Sequence, residues 1–279
     1  MDMTYVVHAS ATTMTGRRKR NEDAYCFDPD LGIFVVLDGM GGYAGGMIAS
    51  SLAAETIADF YLGLADDPEG TWPYALDGAK SRASNRVDAA IRLANRRIRE
   101  RRQGSPDDEH AVDLNAHSAI SNMGATVAML SLGAHGAVLG HLGDSRIYRL
   151  RGRDSQTPKI AQLTCDHSLY EELRKGGVDV PPLRDFVHNN IITRALGPVE
   201  DERPELGHVD LRPGDRFLLC TDGLTGSLEA EQIAEILAKE PLERVSAALV
   251  EVAFAAGSRD NITALVVDVE RSLESSGPS

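Results

Sequence analysis

The apolar positions of this chain fall into short continuous runs and helical stripes separated by glycine-rich or polar turns. Residues 31–37 (LGIFVVL) form an unbroken apolar run that stops at DGMGG. That pattern predicts a strand covered on both faces and ended by a glycine turn. Residues 5–12 (YVVHASAT) predict an earlier strand, followed by the basic turn GRRKRNED. Residues 46–64 predict a helix whose apolar stripe is Ile48, Leu52, Ile57, Phe60 and Leu64. A loop over 66–77 leads to a second helix over 80–103. There Val87, Ile91, Ala94 and Ile98 recur at i, i+4, i+7 and i+11, and arginines cover the other face.

Residues 104–117 are polar and predict a loop. Strands are predicted at 124–132, 136–142 and 145–150. Residues 164–200 hold a short helical piece (SLYEELRKGG) and a proline-rich connection, read together as a flap. A strand at 215–220 ends in TDGLTGS, helices follow at 229–239 and 242–256, and a last strand at 262–269 comes after GSRDN. The tail, 271–279, predicts disorder. Strands cluster at both ends and helices come in pairs, without strict βαβ alternation. Antiparallel sheets with helix pairs packed outside them follow from that order. Neither a repeat nor a linker divides residues 1–270, which are expected to form one domain.

Composition narrows the function. With 279 residues and 42% apolar content the chain can bury a sizeable core. Its formal charge of −13 makes it a poor general partner for nucleic acid, whose phosphates reward basic surfaces. Cys26, Cys165 and Cys220 are far apart and lack CxxC spacing, which argues against a disulfide framework or zinc site and for a reducing compartment. The eight histidines show neither HExxH nor HxxxH spacing. No stretch reaches 18 apolar residues, and the N-terminus does not read as a signal peptide, so the expectation is a cytoplasmic protein without a membrane partner.

The candidate chemistry is carried by aspartates. Asp38 ends LGIFVVL before Gly39, and Asp222 follows RFLLCT before Gly223. Asp144 follows AVLGHLG before Ser145, and Asp260 precedes ITALVVDV. A lone aspartate at a strand end is usually a turn former. Four of them, with Glu22 and Asp23, point further. Carboxylates within ~4 Å repel by about 4 kcal/mol per pair at an effective dielectric near 20, so converging strand ends would need cations to stay ionised. All these donors are oxygen, which suits Mg²⁺ or Mn²⁺. Gly39 lets its backbone come close enough to offer a carbonyl. Two such ions ~3.5–4 Å apart can bridge a water, lower its pKa and supply hydroxide. Arg18, five residues before Asp23, is the candidate fork for two phosphate oxygens. Arg17, Lys19 and Arg20 read as a solvated basic turn, and RRIRERR at 96–102 as a solvated helix face.

With these residues in view, the chain resembles the type 2C, metal-dependent serine/threonine protein phosphatases. The strings that carry the resemblance are RKRNED (18–23), VVLDGMGG (35–42), MGATVA (123–128), GDSRIYRL (143–150), TCDHS (164–168), ITRALG (192–197), CTDGLTGS (220–227) and GSRDNITALVV (257–267). They occur in family order over about residues 5 to 270, and the DGMGG form is similar to the bacterial branch. The resemblance implies an α-β-β-α sandwich, two antiparallel sheets between helix pairs, forming one catalytic domain over 1–270. It implies a binuclear Mn²⁺ or Mg²⁺ centre held by Asp38, the Gly39 carbonyl, Asp222 and Asp260. Glu22 and Asp23 would support it, Arg18 would take the phosphate, and Asp144 would help hold a third, weaker metal. The implied partners are phosphoserine and phosphothreonine proteins, including a serine/threonine kinase or its substrates.

Two departures stand out. Animal members often carry histidine where this chain has Met40, and that histidine is held to protonate the leaving group, so the general acid is open here. Family members often carry aspartate four residues after the second DG aspartate, where this chain has Gly226. Two other functions compete with an active phosphatase. One is a catalytically silent pseudophosphatase that binds, disfavoured because every core ligand is present. The other is a two-metal nuclease, disfavoured by the charge and by 5% aromatic content.

Overall fold

The computed structural model describes residues 5–41, 44–67, 70–103, 122–133, 136–153 and 159–271. The polar segment 104–117 and the tail beyond Arg271 lie outside the described residues. One antiparallel sheet contains β1 (Tyr5–Met14), β8 (Arg146–Arg151), β9 (Lys159–Gln162), β11 (Arg216–Cys220) and β12 (Ile262–Arg271), in the order β1-β12-β11-β8-β9. The second contains β2 (Ala24–Asp28), β3 (Ile33–Leu37), β6 (Val127–Gly133), β7 (Gly136–Leu142) and β10 (Glu205–Val209), in the order β10-β7-β6-β3-β2. A two-residue ladder joins β4 (Gly39–Met40) to β5 (Gly124–Ala125).

The continuous apolar runs have a direct physical cause. Successive residues of β3 point to opposite faces, and both faces are buried. Phe34 and Val36 meet Ile147, Phe217, Leu219, Leu265 and Val267 between the two sheets. Ile33, Val35 and Leu37 pack outward against helices α1 (Gly45–Asp66) and α2 (Arg82–Arg102). The other sheet repeats this arrangement. Leu218, Cys220, Ala264 and Val266 face outward against α5 (Ala230–Lys239) and α6 (Leu242–Ala255). The result is the expected four-layer α-β-β-α sandwich. Each fully buried Val, Leu, Ile or Phe contributes about 1.5–3 kcal/mol of transfer free energy, so the two faces of every central strand secure the positions of its ends.

Helix α2 follows its sequence pattern. Val87, Ile91, Ala94 and Ile98 are all fully buried, and Ser81 caps the start by accepting the Ser84 N–H. Helix α1 follows its predicted stripe only at Ile57 and Leu64. Ile48, Leu52 and Phe60 are only partly buried, while Ala49, Ala53, Ala54, Ile57 and Tyr61 carry the contact. The reason is close approach: small side chains let the helix axis lie low on the sheet. The predicted strand 124–132 is broken at Thr126 into β5 and β6. Thr126 leaves the ladder to give its N–H to the Asp38 carbonyl at 2.8 Å.

Strands β2, β9 and β10 and the one-turn helix α4 (Asp222–Thr225) were not expected from the pattern. The flap holds α3 (Leu169–Lys175) and a single 3-10 turn at Leu183–Asp185. In the basic cluster of α2, Arg96, Arg97 and Arg101 are exposed, but Arg99 donates to the Pro198 carbonyl at 3.2 Å and so fastens the helix to the end of the flap.

Candidate metal centre

The carboxylates are carried to one end of the sandwich by the strands that precede or follow them. Asp38 leaves β3, Asp222 leaves β11, Asp144 sits in the β7–β8 turn, Asp260 enters β12, and Glu22 and Asp23 enter β2. There a cleft of ≈ 860 Å³ opens, lined by Arg18, Glu22, Asp38, Gly39, Asp222 and Asp260, with Met40 and Asn261 beside them. Asn190 and Ile192 of the flap form its far wall. Asp23 and Asp144 stand behind this lining. Of the eight residues expected at the site from sequence, six therefore share the cleft surface and two lie beneath it.

The electrostatics of the set are those of crowded acids. Burial, reinforced by Asp23, Asp222, Asp144 and Asp260, holds Asp38 well above the usual carboxylate range. Burial pushes Asp23 up to about 7, even though Thr263 and Thr221 donate hydroxyls to its Oδ2 at 2.6 and 2.9 Å. Burial and then Asp222 push Asp144 to about 7. Asp222 is raised by burial and by Asp260, and Glu22 by burial. Three carboxylate oxygens, Oδ1 of Asp23, Asp144 and Asp222, are buried without a hydrogen-bond partner. Buried polar atoms are rarely left so. Arg146, whose charge acts on Asp144, is itself engaged by Asp166, which it grips through Nε at 2.9 Å and Nη2 at 2.6 Å. Oxygen donors, crowding and orphaned lone pairs together fit a site for hard divalent cations.

Several supporting residues escaped the sequence reading. Asn261 Oδ1 accepts the Glu22 N–H at 2.8 Å, and its Nδ2 donates to the carbonyls of Thr15 at 2.9 Å and Arg20 at 2.8 Å. One side chain thereby ties the basic turn to the start of β12 and brings Arg18 beside Asp260. Thr126 Oγ1 accepts the Asp38 N–H at 3.0 Å and shares a hydrogen bond with Ser145 at 2.7 Å, which joins the Asp38 and Asp144 corners. Gly46, in the first turn of α1, meets Gly39 backbone to backbone. A Cβ on Gly39 would collide with the Gly46 carbonyl, and one on Gly46 would collide with Glu22 Oε2. Thr126 lies in MGATVA and Asn261 in GSRDN, but the partners of these residues lie far away in the chain.

Two histidines also gather away from the cleft, outside any HExxH or HxxxH spacing. Nitrogens of His141 and His167 and an oxygen of Glu205 lie within 4.8 Å of one another. These residues are 26 or more positions apart, beyond the reach of any local motif.

Comparison with known proteins agrees with the fold. A protein phosphatase 2C family model matches residues 14–256. The chain is 31% identical over 239 residues to the protein phosphatase PhpP of Streptococcus pneumoniae, covering 85% of each chain. Its structure is similar to the serine/threonine phosphatase PstP/Ppp of Mycobacterium tuberculosis, with TM-score 0.76, 28% identity, and coverage of 95% of this chain and 99% of that one. It is also similar to the catalytic domain of PstP in complex with two manganese ions, with TM-score 0.72, 29% identity, and coverage of 96% and 100%.

Proposed function

The chain belongs to the protein phosphatase 2C family, a membership that makes it a metal-dependent serine/threonine protein phosphatase, and we propose that its acidic cleft is where phosphoserine and phosphothreonine esters are hydrolysed. The observation that carries this reading is the set of buried carboxylate oxygens without a hydrogen-bond partner, on Asp222 in the cleft and on Asp23 and Asp144 beneath it, in a cleft that Arg18 also lines. Asp38, the Gly39 carbonyl, Asp222 and Asp260 would hold two core ions, Mn²⁺ or Mg²⁺, with Glu22 and Asp23 supporting them. Asp144 would take a third, weaker ion. Bound there, the ions would supply hydroxide near neutral pH and offset the charge of the phosphoryl group.

The chain's own residues do the rest. Arg18 offers a fork to two phosphate oxygens and orients the ester. Flap residues Asn190 and Ile192 wall the substrate side and restrict water. Hydrolysis there would break the bond between phosphorus and the seryl or threonyl oxygen, and that oxygen would need a proton to leave. Among the described residues no histidine lines the cleft, and Met40 cannot titrate, so on this reading that proton comes by way of water or a more distant group. Three free thiols, Cys26, Cys165 and Cys220, suit a reducing cytoplasm, and no described helix is long and apolar enough to cross a membrane. Substrates on this reading are phosphoproteins of that compartment, including a serine/threonine kinase or its targets.

The test is a metal-dependent assay on three substrates: p-nitrophenyl phosphate, a phosphothreonine peptide and single-stranded DNA. Release of phosphate from the first two with Mn²⁺, lost on chelation, is expected, with the DNA left intact. No phosphate release at any Mn²⁺ concentration would support a silent binding module instead, and cleavage of the DNA a nuclease.

A further inference from the structure

His141 and His167 lie behind the corner that carries Asp144. Their rings stack with centroids 4.6 Å apart and planes 7° from parallel. Together with Glu205 they make a ligand-like triad, but hydrogen bonding argues against a cation there. His141 must donate from Nε2 to the Cys165 carbonyl, 3.0 Å away. His167 Nδ1 accepts the Gly143 N–H at 3.1 Å, so the proton of the neutral ring sits on Nε2, facing Glu205 Oε2 at 3.2 Å. A metal on that nitrogen would displace the proton and face the Arg194 guanidinium, 3.2 Å away. Parallel rings also aim their in-plane lone pairs side by side and not at a common point.

What His167 does hold is the Asp144 corner. Gly143 is bound to it twice, through Nδ1 and through the His167 N–H, which donates to the Gly143 carbonyl at 2.9 Å. Gly143 adopts φ +102°, and a Cβ there would stand 2.6 Å from Thr126 Cγ2. The corner is thus boxed between Thr126 on one side and His167 on the other. The His167 carbonyl accepts the Thr193 N–H at 2.8 Å, and Ser168 bridges to Ile192, which lines the cleft. Burial lowers the pKa of both histidines, in keeping with a neutral ring at Gly143.

We propose that His167 is a positioning residue: its unprotonated Nδ1 holds Gly143 so that Asp144 presents its carboxylate to the weakest-bound cation, and its main chain links that corner to the flap wall. The inference rests on the reading of Asp144 as a ligand. A merely structural histidine would matter through its volume. A positioning one matters through the acceptor at Nδ1.

Two variants separate these roles in the full chain. His167→Asn retains an amide oxygen near the Nδ1 position, and His167→Leu retains bulk without an acceptor. Mn²⁺ binding is followed by calorimetry and metal-free stability by thermal melting, with Asp144→Ala as the reference. His167→Leu is expected to weaken the loosest Mn²⁺ site about tenfold, the size of one lost buried acceptor. His167→Asn should stay near wild type, both should keep the tighter ions, and Asp144→Ala should lose the loosest. Should His167→Leu fail to fold, His167→Gln, which reaches only the Nε2 position, replaces it with the same expectation. The proposal is overturned if the Leu or Gln variant binds like wild type while Asp144→Ala does not. It is equally overturned if both His167 variants lose binding and melting temperature alike. Wild-type binding by Asp144→Ala would instead remove the ligand reading on which the inference stands, leaving the two-ion core untouched.

Discussion

The Arg18 guanidinium stands 2.6 Å from Asp260 Oδ2, so the group expected to take phosphate is paired with a carboxylate expected to take metal. The arginine side chain is 59% exposed and the aspartate 35%. An ion pair this wet is weak, worth about 0–1 kcal/mol, and gives way readily when a cation claims Asp260. Arg18 is then left at the cleft mouth with its fork available.

Arg18→Ala is accordingly expected to raise KM for a phosphothreonine peptide about ten- to a hundredfold, the loss of one charge-assisted fork at roughly 1.5–3 kcal/mol. Inhibition by inorganic phosphate should weaken in step. Arg20→Ala should change KM less, because Arg18 and not Arg20 is the arginine beside Asp260, and the Arg20 backbone carbonyl, held by Asn261 at 2.8 Å, survives the substitution. Equal effects of the two substitutions on KM would remove Arg18 from the phosphate role.

Metal removal and pH are linked through the same acids. In the metal-free fold Asp23 and Asp144 titrate near 7 and Asp38 well above its ordinary range, against an ordinary value of 3.8. The folded chain therefore holds more protons than the unfolded one between about pH 4 and 7. The stability these groups contribute is fully present below the lower value and is lost as pH rises through the upper one. In chelator, the melting temperature should fall from about pH 5 to about pH 7.5. Mn²⁺ should restore it most at the higher pH, because cations take the place of protons. A chelated protein that becomes more stable across that interval would contradict the crowded-acid account.

Gly226 caps α4 with φ −72° and ψ −11°, a conformation open to any residue. A Cβ there meets only the Asp222 carbonyl, at 3.0 Å, a tight but local contact. The position lies one helical turn beyond Asp222, on the same face. Gly226→Asp is expected to tighten the loosest Mn²⁺ site several-fold, visible as a sharper last step in the calorimetric isotherm. Three ions of similar affinity in wild type, with no change in the variant, would end the idea of a weak third site.

The parts of this molecule that were legible in sequence are those whose cause is local. LGIFVVL and RFLLC read as strands because both of their faces are buried, and Gly39 and Gly223 mark the aspartates at their ends. Helix α2 repeats every turn and declares itself. Strand β2 (AYCFD) is short and half-exposed, and β9 and β10 lie at sheet edges, so none has a strong periodicity to read. Helix α1 is only partly legible because alanines and Tyr61 share the contact with Ile57, while Ile48, Leu52 and Phe60 are only partly buried. In the site, the carboxylates could be named from their turns, whereas Asn261, Thr126, Gly46 and His167 could not be given roles. Their partners are set by packing: Asn261 reaches residues 241 and 246 positions away.

The central claim is that Asp38 is a ligand of a two-ion centre on which hydrolysis depends. Asp38→Asn keeps the shape, and it removes a charge that burial already opposes, so its metal-free melting temperature should be no lower than that of wild type. The most direct measurement is turnover of a phosphothreonine peptide by this variant at saturating Mn²⁺, with metal content determined on the same sample. The expected result is a rate far below a tenth of wild type together with loss of a core ion. A rate of a tenth or more, or a full metal complement with normal turnover, would contradict the two-metal assignment.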